Sequence, residues 1–139
     1  MNEPDRYSIK FTASYERDLA QVARKHYRKV PATSLNELSD LLSQFYTTLE
    51  TDPRPRGSAL EPWPKKAHQP PWEFRKARFE MPGLHGASQQ GRIMYLLHPT
   101  EQVVVLVFLY THKEYPEYLD DKTLRKRLQE GMELTSEDE

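Results

Sequence analysis

The chain contains no cysteine, which excludes a disulfide framework and a thiol nucleophile. It also lacks a long hydrophobic run, because the longest, Val103 to Tyr110, is far too short to span a bilayer. The first residues, Met1 to Asp5, do not have the cationic and then apolar order of a secretion signal. From these absences we expect a cytoplasmic protein that makes no contact with a membrane.

Sequence patterns for metal or cofactor chemistry are missing as well. His68, His85 and His98 have no ligand-like spacing with carboxylates or with one another. There is neither a glycine-rich loop that would hold phosphates nor a serine in a nucleophile elbow. We therefore expect neither a metal nor a cofactor.

A strong net charge is absent, since 20 Lys and Arg residues stand against 21 Asp and Glu residues, which gives a net charge of -1. This balance alone does not indicate a nucleic-acid-binding protein. Local charge governs binding to a phosphate backbone, however, and the charges of this chain are unevenly distributed. The placement of the cations is therefore more informative than their number.

The length of 139 residues is typical of one domain. We predict a single domain over residues 1–139, in which residues 1–5 and 131–139 form disordered tails. Hydrophobic periodicity predicts the element order β-α-α-β-β-β-α. This order is typical of an α+β fold.

The first half of the chain predicts one strand and two helices. Apolar and polar side chains alternate from Tyr7 to Phe11, which is typical of a half-buried strand. Thr12 or Ser14 then caps an amphipathic helix that stops at Pro31, and a capping box at residues 34–37 begins a second one. Helices joined by so few residues should form an antiparallel hairpin on one face of a sheet.

The second half predicts strands around a proline-rich segment. Residues 51–71 suit neither regular structure, and residues 72–79 should be extended with a bulge near Arg75. Two further strands, at 92–97 and 103–110, should pair antiparallel. The second of them is almost wholly apolar, so both of its faces should be covered. A short basic helix ends the predicted fold.

Cations and proton-transfer groups fall at particular positions of these strands. Lys76 and Arg78 are two residues apart and share one face of an extended segment. Arg92 begins the next strand, and the last strand ends in a polar group made of Thr111, His112, Lys113 and Tyr115. Fixed cations beside an imidazole and a phenol suit a phosphodiester. The pattern therefore indicates RNA binding and, as a further hypothesis, RNA cleavage.

Four segments in this order resemble those of a known family. The segments are Tyr7 to Phe11 with Leu19, Lys76 to Gly83, Gly91 to Tyr95, and Leu109 to Lys113. They resemble the RelE/ParE superfamily of bacterial type II toxins, and most of all its RelE and HigB-like messenger-RNA interferases. The resemblance covers about residues 7–128. It implies a RelE-like fold, a twisted antiparallel sheet of about four strands with an N-terminal helical hairpin on one face and a short C-terminal helix.

The resemblance also implies site residues. Lys76 and Arg78 match the family's strand cations, and Arg92 matches its central arginine. The end of the last strand matches less cleanly, so that its basic residue is His112 or Lys113 and its tyrosine is Tyr115 or Tyr118. The implied catalytic set is Lys76, Arg78, Arg92, His112, Lys113 and Tyr115. Further RNA contacts are expected from Arg75, Tyr118 and Arg125.

Metal-free RNA cleavage needs a deprotonated 2'-hydroxyl, a stabilised phosphorane and a protonated leaving oxygen. An arginine fork matches phosphate oxygens in pairs, so we expect Arg92, assisted by Arg78, to stabilise the phosphorane. Lys76 either orients the substrate or acts as the base, and His112 suits acid or base work. The plainer alternative is that the arginines and Lys76 are solvated strand residues, and that His112 is a turn residue, without a catalytic role.

Two functions of different classes follow. The first is the toxin of a type II toxin–antitoxin system, an endoribonuclease that cuts mRNA, as the family does, on the ribosome by 2'-hydroxyl attack. Its partners would be mRNA, the ribosome and a cognate antitoxin in a toxin–antitoxin hetero-oligomer. The second is a non-catalytic protein-binding member, either a ParE-like gyrase inhibitor or a degenerate toxin.

Overall fold

The structure, a computed structural model, describes residues 6–115 and 119–134. Within these residues the chain forms five strands and three α-helices: β1 (Ser8–Phe11), α1 (Ala13–His26), α2 (Ala32–Thr51), β2 (Ser58–Leu60), β3 (Glu73–Glu80), β4 (Gln90–His98), β5 (Val103–Thr111) and α3 (Asp121–Met132). A short 3-10 turn, Gly86–Gln89, links β3 to β4. The predicted α+β class is confirmed.

The strands form one sheet in the order β1-β5-β4-β3-β2. β1 runs parallel to β5, and the other neighbours are antiparallel. The sheet differs in detail from the predicted antiparallel sheet of about four strands, because β1 joins it in parallel and β2 adds an edge strand. β5 lies inside the sheet and is buried along its whole length, as its apolar sequence predicts.

α1 and α2 begin for different local reasons. The Thr12 side chain accepts a hydrogen bond from the Tyr15 N–H at 3.0 Å, so Thr12 rather than Ser14 caps α1. α2 begins at Ala32 directly after Pro31. The predicted capping box at residues 34–37 is wrong, because Ser34 already lies in the first turn and its N–H donates to the Pro31 carbonyl at 2.9 Å. Proline has no N–H to satisfy and is tolerated at this end of a helix.

The two helices form the predicted antiparallel hairpin. Tyr15 at the start of α1 meets Tyr46 near the end of α2, with 2.5 Å between their hydroxyl oxygens. Both helices pack on the face of the sheet that carries Tyr95, Leu97 and Leu106. We call this the hairpin face.

α3 packs on the opposite face, which we call the α3 face. Its buried side chains include Leu124, Leu128 and Met132, and an N-cap at Asp120 accepts from the Thr123 N–H at 2.8 Å. The helix continues through Met132, so the prediction of a disordered tail from residue 131 is wrong for residues 131–134. Met132 packs into the core and holds this last turn in place.

A bulge in β5 decides which side chains reach the α3 face. Met94 lies opposite Phe108 whereas Tyr95 lies opposite Leu106, which leaves Val107 as an extra residue. Val107 and Phe108 are consequently both part of the α3 face, and Tyr110 follows them there. The bulge predicted near Arg75 is wrong, because β3 pairs with β4 without interruption.

β3 has apolar side chains on different faces at its two ends. Phe74 packs on the α3 face and Phe79 on the hairpin face. This switch, rather than a bulge, explains the irregular alternation of the sequence. α3 covers the sheet near Phe74, while further along the same face the strand carries Lys76 and Arg78.

The proline-rich segment contains a strand that the sequence did not predict. β2 pairs with β3, with Ser58 opposite Ala77. Beyond it, the Trp63 ring meets the Phe74 ring edge-on at 5.7 Å between centroids and stacks with His68 at 4.8 Å. Trp63 thus anchors the segment on the α3 face, as expected for a large ring in a loop.

No helix of the described residues is long and apolar enough to cross a membrane.

Candidate functional site

Cross-strand pairing brings the predicted cations together. Arg78 on β3 lies opposite Arg92 on β4, and Arg92 lies opposite Tyr110 on β5. Residues paired in this way have Cβ atoms about 4.5–5.5 Å apart and share one face of the sheet. Lys76 is two residues from Arg78 and therefore belongs to the same face. We call Lys76, Arg78, Arg92 and Tyr110 the cationic row.

The two arginines of the row lack a carboxylate partner within the described part of the chain. Among the residues that the structure describes, Arg92 donates to two neutral oxygens, the Gly91 carbonyl at 3.0 Å and the Gln90 side-chain carbonyl at 3.3 Å. Burial and then the neighbouring Arg78 guanidinium lower the pKa of Arg92 from its usual value. An arginine stays protonated even so. Two like charges side by side make this place favourable for an anion, which would relieve their repulsion.

Tyr110 was not among the predicted site residues, because it ends an apolar run and its face depends on the bulge. Burial raises the pKa of Tyr110 to about 12, against the lowering influence of Arg92 and Arg78. The phenol is therefore protonated at neutral pH and available as a hydrogen-bond donor. The cross-strand register places Tyr110 in the row, opposite Arg92.

Lys76 is the one member of the row that pairs with a carboxylate among the described residues. Its ammonium lies 3.0 Å from a Glu61 carboxylate oxygen, and the two side chains are 15% and 19% exposed. The Glu61 backbone N–H donates to the Phe74 carbonyl at 2.8 Å, which fixes the residue beside β3. Glu61 lies in the proline-rich segment, where no sequence pattern marks it as a site residue.

Tyr115 packs in an aromatic cluster at the end of the row. Its ring meets Phe108 at 5.8 Å and Tyr110 at 5.4 Å between centroids, both edge-on. The structure thus brings Tyr115 next to the cationic row. It is half-buried, so part of its ring remains accessible.

The turn after β5 is fixed by one carboxylate. Glu114 accepts hydrogen bonds from the Thr111 N–H and hydroxyl, each at 2.9 Å, and lies 2.8 Å from the His26 ring nitrogen. Burial alone would raise the pKa of Glu114, but the hydrogen bonds from Thr111 and His26 outweigh it and the pKa lies below its usual value. Glu114 therefore holds the turn that carries His112 and Lys113.

His112 and Lys113 project from this turn. The His112 N–H donates to the Gln90 carbonyl at 2.9 Å, which places the residue beside the start of β4, two positions from Arg92. His112 is half-buried and Lys113 is exposed. Within residues 6–115 and 119–134, no hydrogen bond or ion pair joins either side chain to the cationic row.

The predicted RNA contacts are placed differently. Arg75 lies on the hairpin face and is 8% exposed, with its guanidinium bonded to the Ser58 hydroxyl at 2.9 Å and to Glu73 at 3.1 Å. Arg75 therefore lies on the face opposite the cationic row, because adjacent strand residues point to opposite faces, and its contact with RNA stays a prediction. Arg125 is exposed on α3 and donates to the Lys65 carbonyl. Tyr118 lies outside the described residues.

The described residues contain no group of three or more His, Cys, Asp or Glu side chains placed to hold a metal. What the site offers instead is fixed cationic and phenolic donors on a sheet face, with an imidazole at its margin. Such a set can bind a phosphodiester and stabilise charge on it.

Comparison with known proteins gives little beyond this geometry. No protein-family model matches the chain, and no curated protein matches it. The chain is similar to the free-state structure of a double arginine-to-alanine mutant of the E. coli toxin RelE, with 15% identity over 92% of this chain and 96% of that chain and a TM-score of 0.39. A likeness at this identity and score does not establish family membership.

Proposed function

We propose that this chain is the toxin of a type II toxin–antitoxin system, a metal-independent endoribonuclease that cleaves mRNA. The observation that carries the proposal is the cationic row, in which Arg78, Arg92 and Tyr110 lie side by side on one face of the sheet. The RNA chemistry and the toxin class come from the sequence resemblance, and the row supplies a surface that fits them.

The arginines have the clearest role in this proposal. Arg92 and Arg78 bind the non-bridging oxygens of the scissile phosphate, where charge grows as the 2'-hydroxyl attacks. Neither has to break an ion pair with a described carboxylate first. Arg92 is also prepositioned by its bonds to Gly91 and Gln90.

The proton transfers fall to groups around the arginines. Lys76, His112 and Lys113 are the basic candidates, and the Tyr110 phenol is a further proton donor beside Arg92. Because Lys76 is paired with Glu61, its ammonium has to exchange that partner before it can contact a phosphate. His112 needs no such exchange among the described residues, and we assign it first place for acid or base work.

The proposed setting is the cytoplasm, with mRNA on the ribosome as substrate. A cognate antitoxin would hold the toxin inactive by covering the cationic row. The wild-type chain should consequently arrest growth when it is expressed alone.

Primer extension on a reporter transcript tests the nuclease. Purified chain added to ribosomes programmed with that transcript should give discrete cleavage products. Arg92→Ala should lower the cleavage rate about 100-fold, since one donor to a developing oxyanion contributes about that much. Arg24→Ala is the matched control, because Arg24 is exposed on α1 away from the row. Equal rates for the two variants would contradict the assignment of Arg92.

One observation favours a second candidate, a non-catalytic toxin that binds a protein. Glu61 neutralises Lys76, which an RNA-cleaving face would be expected to leave available. Growth arrest with intact mRNA and blocked DNA supercoiling would support this alternative. The non-catalytic alternative would be rejected if Arg92→Ala abolished both the growth arrest and the mRNA cleavage.

A further inference from the structure

The part of the proline-rich segment that follows β2 crosses the α3 face and ends against α3. The Glu61 N–H donates to the Phe74 carbonyl at 2.8 Å, which extends the pairing of β2 with β3 by one residue. The Trp63 ring packs on the Phe74 ring, and the Lys65 carbonyl accepts a hydrogen bond from an arginine of α3. We call residues 61–65 the strap. Its backbone is held at both ends, and two prolines restrict it in between.

The strap brings a negative charge to the cationic row. One Glu61 carboxylate oxygen lies 3.0 Å from the Lys76 ammonium, and both side chains are mostly buried. Glu61, Lys76 and Tyr110 also line one pocket of about 290 Å³ between the strap, the sheet and α3. Burial is the main cause of the raised pKa of Tyr110, and the Glu61 charge adds to it. The Glu61 carboxylate therefore acts on two of the four members of the row.

Two further charged side chains, Lys65 and Asp121, line the same pocket. Both residues are exposed. Among the residues that the structure describes, no hydrogen bond or ion pair joins either side chain to the cationic row. Glu61 is thus the acid of this pocket that pairs directly with a member of the row.

A carboxylate and a phosphate compete for one ammonium, because both are anions whose oxygens accept its hydrogen bonds. We propose that Glu61 is an autoinhibitory residue, whose carboxylate holds Lys76 in the RNA-free protein in the place of an RNA phosphate. The inference rests on the proposed function, because the RNA backbone would lie on the cationic row. Arg78 and Arg92 bind the RNA first, and Lys76 contributes only after the Glu61 carboxylate has turned away.

This release requires only the Glu61 side chain to move. The strap backbone stays fixed by its contacts with β3 and α3, whereas a glutamate side chain turns about three single bonds. The Lys76 and Glu61 side chains are 15% and 19% exposed, so solvent reaches the carboxylate as it turns. The device is therefore a side-chain gate over Lys76 and not a mobile lid.

Fluorescence anisotropy of the full chain with a labelled single-stranded 2'-O-methyl RNA tests the competition, since this RNA has no 2'-hydroxyl to attack. Glu61→Gln should bind it about tenfold more tightly than the wild type, because Lys76 becomes available and the carboxylate no longer repels the phosphate. One additional phosphate contact should also steepen the dependence of log K on log salt by about 0.7. Asp121→Asn removes an exposed acid from the same pocket and should change the affinity by about twofold at most.

Lys76→Gln separates this competition from a general change of charge. In the wild type it removes a cation that Glu61 already neutralises, so RNA binding should weaken by about twofold. In the Glu61→Gln background the ammonium is available, and the same change should weaken binding by about tenfold. Equal losses of affinity in the two backgrounds would overturn the autoinhibitory role.

The remaining outcomes separate this inference from the proposed function. If Glu61→Gln, shown by a urea melt to be folded, binds RNA no more tightly than the wild type while Arg92→Ala weakens binding, the autoinhibitory role is overturned and the nuclease proposal stands. Loss of ribosomal mRNA cleavage in Glu61→Gln would also overturn it, because Glu61 would then take part in the reaction. Absence of RNA binding and of cleavage in both the wild type and Glu61→Gln would reject the proposed function itself.

Discussion

The ion pair between Asp18 and Arg127 should be the largest single polar contribution to stability among those that shape the site. The Arg127 guanidinium donates to the two Asp18 oxygens at 2.7 and 2.8 Å and to the Val107 carbonyl at 3.0 Å. Asp18 also accepts the Leu109 N–H at 3.1 Å. β1 ends at Phe11, so these bonds satisfy the edge of β5 that β1 does not reach.

Asp18→Ala removes the acceptor for three donors at once. Breaking a buried ion pair from one side costs about 3–5 kcal/mol. The Asp18 and Arg127 side chains are 10% and 19% exposed, so we take the lower end of that range. The buried Leu109 N–H also loses its partner, which costs about 1 kcal/mol more. We therefore expect the free energy of unfolding to fall by about 4 kcal/mol.

Urea denaturation followed by circular dichroism measures this change. Glu16→Ala is the matched control, since Glu16 is an exposed acid on the same helix and its interaction with the helix dipole contributes less than about 1 kcal/mol. The double variant with Arg127→Ala should cost less than the sum of the two single changes by about 2 kcal/mol. A loss of stability in Asp18→Ala no larger than that in Glu16→Ala would refute the stabilising role of this ion pair.

Two further predictions concern the turn after β5 and the loop before β4. Because the pKa of Glu114 is lowered from 4.5, its contribution is present above the unfolded pKa and is lost as the pH falls through the folded one. Glu114→Gln should therefore flatten the loss of stability below about pH 4.5 in urea titrations at several pH values. Gly83 and Gly86 both have positive φ, at 76° and 63°. A Cβ added to Gly83 would collide with the Ser34 side-chain oxygen, whereas a Cβ added to Gly86 would meet nothing. Gly86→Ala should lower the free energy of unfolding by about 1 kcal/mol. Gly83→Ala should lower it by about 2 kcal/mol more, because of the collision with Ser34. Equal losses of stability in thermal or urea melts of the two variants would show that the Ser34 contact does not matter.

Hydrophobic periodicity was sufficient to predict the elements whose formation depends on residues close together in the chain. The alternation from Tyr7 to Phe11 predicts β1, and the apolar spacing predicts α1 and α2, because each element buries one periodic stripe. The same reasoning placed the capping box at residues 34–37 wrongly. α2 begins directly after Pro31, three residues before the predicted start, and among the described residues no side chain caps it. The spacing of residues 34–37 does not show that the turn before them is already helical.

The site shows the same division between neighbours in sequence and neighbours in space. Lys76 and Arg78 share a face by strand geometry alone, so the sequence could pair them. It kept Arg75 among the candidates, because the bulge predicted near that residue would have broken the alternation of side chains between the two faces. Tyr110 and Glu61 were missed for a similar reason, since one depends on a bulge in β5 and the other on how the proline-rich segment folds back over β3.

The sequence by itself determined the periodic elements, the cations on β3 and β4, and the absence of cysteine chemistry, because these depend on residues close together in the chain. The tertiary structure decided the parallel pairing of β1 with β5, the alignment of Arg78 with Arg92 and Tyr110, and the pairing of Lys76 with Glu61. Each of these depends on strand register, and register is set by burial of whole faces rather than by any short motif.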